Sequence, residues 1–490
     1  MTAGVWIAIG VYALLGLGVA LASRRRLGTG VAEYYLAGRR VGGVVSALSY
    51  GATTYSAFMM VGLAGLTYAG GVGALGFELI YLAGLGLVVI FGPRFWLVGR
   101  ARGHITPSEM LGDRYDSRAL AGLVALASCV FLVPYSAVQL MGIGYLLSGA
   151  SDGAIPFTAG ILIGAAFTLL WTLVAGLRSV LWTDVLQVAI MLVTSLVAVG
   201  FVLAALGGIG EFIRLTEAER GAWLAVPGPG LFSWVTFIGL TLPWFFFSIS
   251  NPQVSQRLFT TESLGAMRTM IAGFLVLGFV YTLVSVVWGL AALHLVPGLE
   301  QADLATPTLL RSDAVPVVVA VVLIVGILAA AVSTVDSILL TLGSMVSHDV
   351  YRPLARDGRG AGELAVGKAV VVAVTLLALG FAWLRLDLIS ILSVASSTGL
   401  LVTVPAIVGA FFWRRGTAAG AIASIVVAGV GVGVLQLSGY DPLGVPAAVW
   451  ALAVAVLLFV GVSLATRPPA ERARAFIDEI DGELARHRIW

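Results

Sequence analysis

The chain has 490 residues, of which 59% are hydrophobic and only 11% charged, with a mean hydropathy of +1.03; soluble domains carry about 25% charged residues. A soluble fold of this length would have too few polar side chains to cover its surface, so the composition describes a polytopic membrane protein. The formal charge of +3 comes mostly from loop arginines and reports topology, not a nucleic-acid or acidic partner, and the single cysteine, Cys129, excludes an internal disulfide framework.

Apolar runs of about 18 or more residues predict thirteen membrane helices, near 3–23, 43–68, 72–98, 119–148, 156–177, 180–206, 232–250, 269–296, 314–346, 365–385, 388–412, 417–437 and 444–466. The first run has no basic residue before it and ends in Arg24, Arg25 and Arg26, which reads as a retained helix with its N-terminus outside. With that orientation 24 of the 28 Lys and Arg residues fall on cytoplasmic segments, so the positive-inside rule selects N-out, C-in in the plasma membrane. Between the spans, "HITPSEMLGDRYDSR" predicts a short cytoplasmic helix begun at Thr106-Pro107, and residues 208–231 an external amphipathic helix with a Pro-Gly loop. The charged tail at 467–490 is expected as a cytoplasmic surface helix. The whole of 1–490 reads as one transmembrane transporter domain.

The second predicted helix, "SYGATTYSAFMMVGLAG", places Gly51, Thr53, Thr54 and Ser56 in mid-span, where a continuous helix prefers Leu or Ala. This is a candidate unwound segment, tolerated in a membrane where freed carbonyls face a cavity or an ion; the alternative is a tightly packed small-residue helix. The ninth carries "LAAAVSTVDSILL". At 100° per residue Ser333, Ser337, Thr341 and Ser344 share one stripe, flanked by Thr334 and Asp336. Hydroxyls with an acid at their edge supply hard oxygen ligands, and an acid at membrane depth reads as part of a site. Back-bonding of the hydroxyls to their own helix, or pairing of Asp336 with an arginine, are the alternatives. Asp184 and Glu78 are two further acids in apolar surroundings; Asp184 can instead cap a helix with Thr183 or pair with Arg178, and Glu78 can hydrogen-bond a neighbouring helix.

The stretches "YYLAGRRVGGVVSALSYGATTYSAF", "GLRSVLWTDVLQ", "NPQVSQRLFTTES" and "ILAAAVSTVDSILL…SHDVY", in this order, resemble the sodium/solute symporter family over roughly residues 30 to 415. The resemblance implies an all-α membrane fold of the LeuT-like class, an inverted repeat of two five-helix halves (43–206 and 232–412) around a midplane site on broken helices. It implies a sodium site of the main-chain oxygens of Ala52, Tyr55 and Ala330 with the hydroxyls of Ser333 and Thr334. In some members a second sodium is held by residues matching Asp184, Ser333 and Ser337, and Asp336 adds an acid beside them. The matching substrate positions are Thr53, Ser56, Met59, Glu78, Gln139 in "VPYSAVQLMGIG", and Trp244 and Phe247 in "LPWFFFSISNP". Thr54 and Met59 depart from the acid of proline carriers and the glutamine of sugar carriers respectively, and the apolar Met59, Trp244 and Phe245 to Phe247 favour a small organic acid or amino acid.

The expected function is sodium-coupled symport of a small organic solute, with Na⁺ as the transported coupling ion, no organic cofactor, lipid as surroundings and a monomer as functional unit. A proton-coupled or sugar carrier of the same fold is the rival, and a membrane sensor or embedded enzyme a distant one. "GVGALG" at 71–76 matches a dinucleotide fingerprint but starts a membrane span instead of joining strand to helix. The four histidines lack metal spacing, and Arg257, at a predicted helix end, is expected to snorkel.

Overall fold

The computed structural model describes residues 2–24, 28, 30–228, 233–355, 362–385 and 389–487. Among these, eleven helices are long and apolar enough to cross a membrane, joined by one bent pair and one shorter apolar helix. Each of the thirteen predicted segments therefore finds a counterpart. In chain order they are α1 (Thr2–Arg24), the bent pair α2 (Gly43–Thr54) and α3 (Phe58–Gly70), and α4 (Gly73–Arg102). The non-spanning α5 (Pro107–Arg114) precedes α6 (Arg118–Ala150), α7 (Phe157–Val174) and α8 (Gly176–Ala205). Next come the amphipathic α9 (Ile209–Arg220), the short α10 (Trp234–Phe245), α11 (Leu264–Leu295) and α12 (Val317–Leu354). The series closes with α13 (Glu363–Trp383), α14 (Ile391–Phe412), α15 (Ala418–Ser438), α16 (Ala447–Ala465) and α17 (Ala470–Arg486).

Burial orders these helices from centre to rim. The most apolar window of α12 is 72% buried inside the protein, against 28% for that of α8, although their mean hydropathies of 2.9 and 2.6 are close. Hydropathy alone cannot separate the two, because lipid accepts the same side chains as a protein core. The central position of α12 explains why its hydroxyls and Asp336 are affordable there: all face other helices, and all are buried.

Two breaks shape the core. The α2–α3 pair bends by 49° at Tyr55, whose φ and ψ of −103° and 81° leave the helical range. Thr53 and Thr54 back-bond to Ser49 and Tyr50 of the preceding turn, which competes with the backbone ladder. Beyond the break, Ser56 Oγ accepts from the Phe58 N–H and restarts the helix. At the second break, Gly176 has φ +59° and ψ −150°, and a Cβ there would lie 2.6 Å from the Tyr34 carbonyl oxygen. Only glycine adopts that conformation without strain, so α7 and α8 form two spans without an intervening loop.

Outside the spans, α5 begins as predicted: Thr106 accepts from the Glu109 N–H with Pro107 next in line, and Glu109 reaches back to the Ile105 N–H. The tail helix α17 buries Phe476, Ile477, Ile480 and Leu484 against the rest of the protein.

Candidate functional site

The break at Tyr55 faces α12. The Thr334 hydroxyl donates to the carbonyls of both Ala52 and Ala330, each at 3.2 Å. One side chain thus ties the unwound end of α2 to the middle of α12, and brings three of the five expected sodium-site oxygens together. Tyr55 supplies the break itself, its ring lodged where α11 carries Gly278; a Cβ at Gly278 would fall 1.8 Å from the Tyr55 hydroxyl oxygen. Ser333, one residue before Thr334, turns its hydroxyl to Asp184 on α8.

Around Asp184 the structure sets aside two alternatives to a site role. Asp184 does not cap a helix: it is fully buried in the body of α8, and Thr183 back-bonds to Ser179 and Val180. Nor does it pair with Arg178, which bridges to Glu33 at 2.5 Å. Its partners are Ser333, Ser49 on α2 at 2.5 Å, and Arg257 at 3.4 Å. Arg257 was expected to snorkel toward water; it is 4% exposed and points inward, its two terminal nitrogens donating to Ser49 at 2.6 Å and Ser337 at 2.5 Å. A guanidinium joined to a carboxylate and two hydroxyls satisfies more of its donors in the core than a bare charge at a helix end would. Ser337 in turn donates to the Ser333 carbonyl at 3.0 Å.

Asp336 faces elsewhere. One carboxylate oxygen accepts from Thr172 on α7 at 2.9 Å, and the other has no hydrogen-bond partner among the described residues. It flanks the oxygen cluster from the α7 side and pairs with no arginine in a salt bridge among the described residues. The remaining hydroxyls of the stripe continue along α12 toward the turn Gln256–Phe259: Thr341 donates to Gln256, and Gln256 donates to Ser344.

The expected substrate residues divide. Thr53 joins the cation side, back-bonding to Ser49 and meeting the Ser337 hydroxyl at 3.1 Å, so it belongs with α12 and not with the aromatic residues. On the opposite side of the break, Trp244 and Phe247 stack with ring centres 5.0 Å apart. Phe58 stacks on Trp244 from α3 at 5.0 Å, and Phe77 and Tyr81 of α4 meet it edge-on. Tyr135 of α6 closes against Phe247 at 6.2 Å. Met59 is buried in the first wide turn of α3, beside Phe58.

Glu78 lies on the same helix as Phe77 and Tyr81, and Gln139 one turn beyond Tyr135. Both are fully buried, and none of their four side-chain oxygen and nitrogen atoms has a hydrogen-bond partner among the described residues. Glu78 therefore does not bond to a neighbouring helix there. The hydroxyls of Tyr55 and Tyr81 and the Trp244 indole N–H share that state. Native proteins pair their buried polar groups, so this concentration of unpaired ones beside the aromatic residues makes the region the candidate solute site.

Sequence reading missed Phe58, Phe77, Tyr81 and Tyr135 of the aromatic wall, and Ser49, Thr172 and Arg257 of the polar cluster. Tyr81 was within reach, three residues after Glu78 on one helix face, and Ser49 stands one turn before Thr53. Arg257 and Thr172 carry no local signal, since each acquires its partner from a helix distant in sequence.

A bundle of membrane-crossing helices arranged around a broken helix, with a hydroxyl-and-carbonyl cluster on one side of the break and a polar-studded aromatic pocket on the other, defines a LeuT-like secondary transporter. A family model described as the sodium:solute symporter family matches residues 34–429, and the chain belongs to that family. It is a sodium-coupled solute symporter. Among its relatives, the sodium/pantothenate symporter of Escherichia coli (strain K12) is 29% identical over 476 residues, covering 93% of this chain and 95% of the relative. The sodium/proline symporter of Staphylococcus aureus is 25% identical, over 89% and 86% respectively. Of solved structures, a Na⁺-coupled sialic acid symporter in a substrate-bound outward-open state superposes with a TM-score of 0.80 at 20% identity, over 95% of this chain and 98% of the other. Mhp1, a nucleobase-cation-symport-1 family transporter, follows with 0.58 at 16% identity, over 91% and 98%. At these identities the structural likeness speaks for the fold.

Proposed function

We propose that the chain imports a small organic acid that also carries hydrogen-bond donors, such as a hydroxylated or amide-bearing monocarboxylate or an amino acid, together with Na⁺. The observation that carries the solute class is the unpaired state of Glu78 and Gln139 within the aromatic pocket. The two oxygens of Glu78 call for hydroxyl, amide or amine protons on the solute, and Gln139 offers both a donor and an acceptor. The aromatic faces of Trp244, Phe247 and Phe58 suit an apolar body. Relatives that carry pantothenate and proline are consistent with this chemistry. A sugar is the second reading, favoured by the same Glu78 and Gln139.

Sodium would be held by the carbonyls of Ala52, Tyr55 and Ala330 and the hydroxyls of Ser333 and Thr334. The convergence of Thr334 on two of those carbonyls supports this set. All five ligands are uncharged, which gives the weak, reversible binding that a transport cycle needs. Because the ion would join α2 to α12 directly beside the solute pocket, its arrival would complete that pocket. The two five-helix halves, 43–206 and 232–412, would then move against each other around the site. At an inside-negative potential each inward charge gains about 2.3 kcal/mol per 100 mV.

The arginine distribution supports an N-out, C-in orientation in the plasma membrane. No nucleophile with a base stands in the pocket among the described residues, and the reading is transport without catalysis. The test is a panel of radiolabelled solutes in proteoliposomes with and without a sodium gradient. Sodium-driven accumulation of donor-bearing acids supports the proposal; accumulation of sugars alone favours the second reading, and uptake driven by a pH step without sodium overturns the coupling ion.

A further inference from the structure

Arg94 stands on a surface that otherwise meets hydrocarbon. It follows Ile90 by one turn on α4, as Phe412 follows Val408 on α14; Ile90, Val408 and Phe412 are 41%, 37% and 51% exposed. The Arg94 guanidinium lies over the Phe412 ring, 4.7 Å from its centre, and joins the two stripes into one seam. We propose that this seam seats an anionic phospholipid, with its phosphate on Arg94 and an acyl chain along Ile90, Val408 and Phe412.

The residue order along both helices sets the direction of the lipid. α4 ends in Arg100 and Arg102, and α14 is followed by Arg414 and Arg415, so the two charged ends lie at one face of the bundle. Ile90 and Val408 are each one turn, about 5.4 Å, farther from that face than Arg94 and Phe412. Charge at the rim with apolar surface below it is the order of headgroup and tail in a leaflet. On the orientation proposed above, this is the cytoplasmic leaflet.

Arg94 also keeps donors for a ligand. Stacking on a ring occupies the face of a guanidinium and leaves its N–H edge free. One of its five N–H groups donates to the Ile90 carbonyl at 2.6 Å, and the side chain makes no salt bridge among the described residues. The neighbouring arginines are engaged: Arg102 with Asp113 and Glu479, Arg414 with Asp478. Asp481 of α17 attracts Arg94 from beyond salt-bridge distance, and so competes with an anion for it. A phosphate diester accepts two parallel N–H bonds from a guanidinium, and basic sites between spans collect anionic headgroups. A zwitterionic lipid brings its own cation beside the phosphate and suits the seam less well.

The test needs neither solute nor sodium, and does not depend on the orientation. Purified full-length protein, stripped of lipid in detergent, is titrated with phosphatidylglycerol or phosphatidylcholine, and native mass spectrometry gives the affinity of the first lipid retained. The wild type is expected to hold phosphatidylglycerol about fivefold more tightly, the effect of one basic residue at an anionic surface, and Arg94→Gln to lose that preference. Equal affinities for the two lipids on the wild type, or an undiminished preference in a monodisperse Arg94→Gln, overturns the proposal. Displacement of phosphatidylglycerol by millimolar inorganic phosphate would assign the site to a soluble anion and overturn it as well. Should Arg94→Gln not fold, the exposed Asp481→Asn decides in its place: tighter phosphatidylglycerol binding supports the proposal, and unchanged or weaker binding overturns it.

Discussion

Thr334 and Glu78 stand on either side of one helix break and differ in what they already hold. Thr334 is engaged with Ala52 and Ala330, so its replacement should loosen the ion site without emptying the pocket. Ser333→Ala combined with Thr334→Ala is expected to raise the sodium concentration for half-maximal uptake about tenfold or more, a loss comparable to two net hydrogen bonds of about 1 kcal/mol each; uptake assays across a sodium series would check it. Glu78 has no hydrogen-bond partner to lose among the described residues. Glu78→Gln should therefore leave folding and sodium binding intact while cutting solute affinity by about tenfold or more, because an acceptor oxygen is replaced by a donor amide. Solute binding measured at saturating sodium, with sodium binding measured alongside, separates the two effects. Loss of both would make Glu78 structural.

At the scale of elements, the two breaks do different work. The α2–α3 break is made by side chains and bends the chain by 49° with its freed carbonyls turned toward α12. The α7–α8 break is made by backbone conformation alone, at a glycine pressed on Tyr34. It sets the direction in which α8 presents Asp184. Gly176→Ala combines a forbidden φ/ψ pair with a backbone clash, and is expected to cost about 1–3 kcal/mol, seen as a lowered unfolding temperature in detergent. An unchanged melting curve would mean that α7 and α8 can rejoin as one helix.

Across the whole molecule, α17 binds the last part of the chain to an early part. Arg472 pairs with Asp113 of α5, Arg102 of α4 bridges to Glu479 at 2.8 Å and lies over the Phe476 ring, and Arg414 reaches Asp478 at 2.5 Å. Asp113 is the centre of this clasp, also accepting from Arg102 and lying 3.2 Å from His104. Burial alone would raise its pKa, but the hydrogen bond and charge of His104 and those of Arg102 outweigh that and hold the carboxyl well below its ordinary range. A carboxylate with a depressed pKa stabilises the folded contact fully above its free value, roughly pH 4, and loses that contribution as the pH falls further. The clasp should hold at neutral pH and weaken progressively as the pH falls from about 4 toward the depressed pKa of Asp113, exposing the chain before α17 to protease. Asp113→Asn should reproduce the exposure at neutral pH; continued protection would show that the apolar face of α17 suffices.

What the amino-acid order determined unaided was whatever repeats locally or is paid for by lipid: thirteen apolar segments, the start of α5, the amphipathic α9 and α17, and the polar stretches in the two helices that meet at the break. Hydropathy and capping act over a few residues, so these were legible. The partners were not. That Asp184 faces Arg257, that Thr53 turns to Ser337, and that Phe58, Phe77, Tyr81 and Tyr135 close around Trp244 and Phe247 all depend on which helices become neighbours. In a membrane an apolar helix face gains almost as much from lipid as from protein, so hydrophobic pattern cannot choose those neighbours. The packed bundle chose them, and with them the pairing of Asp184 with Arg257.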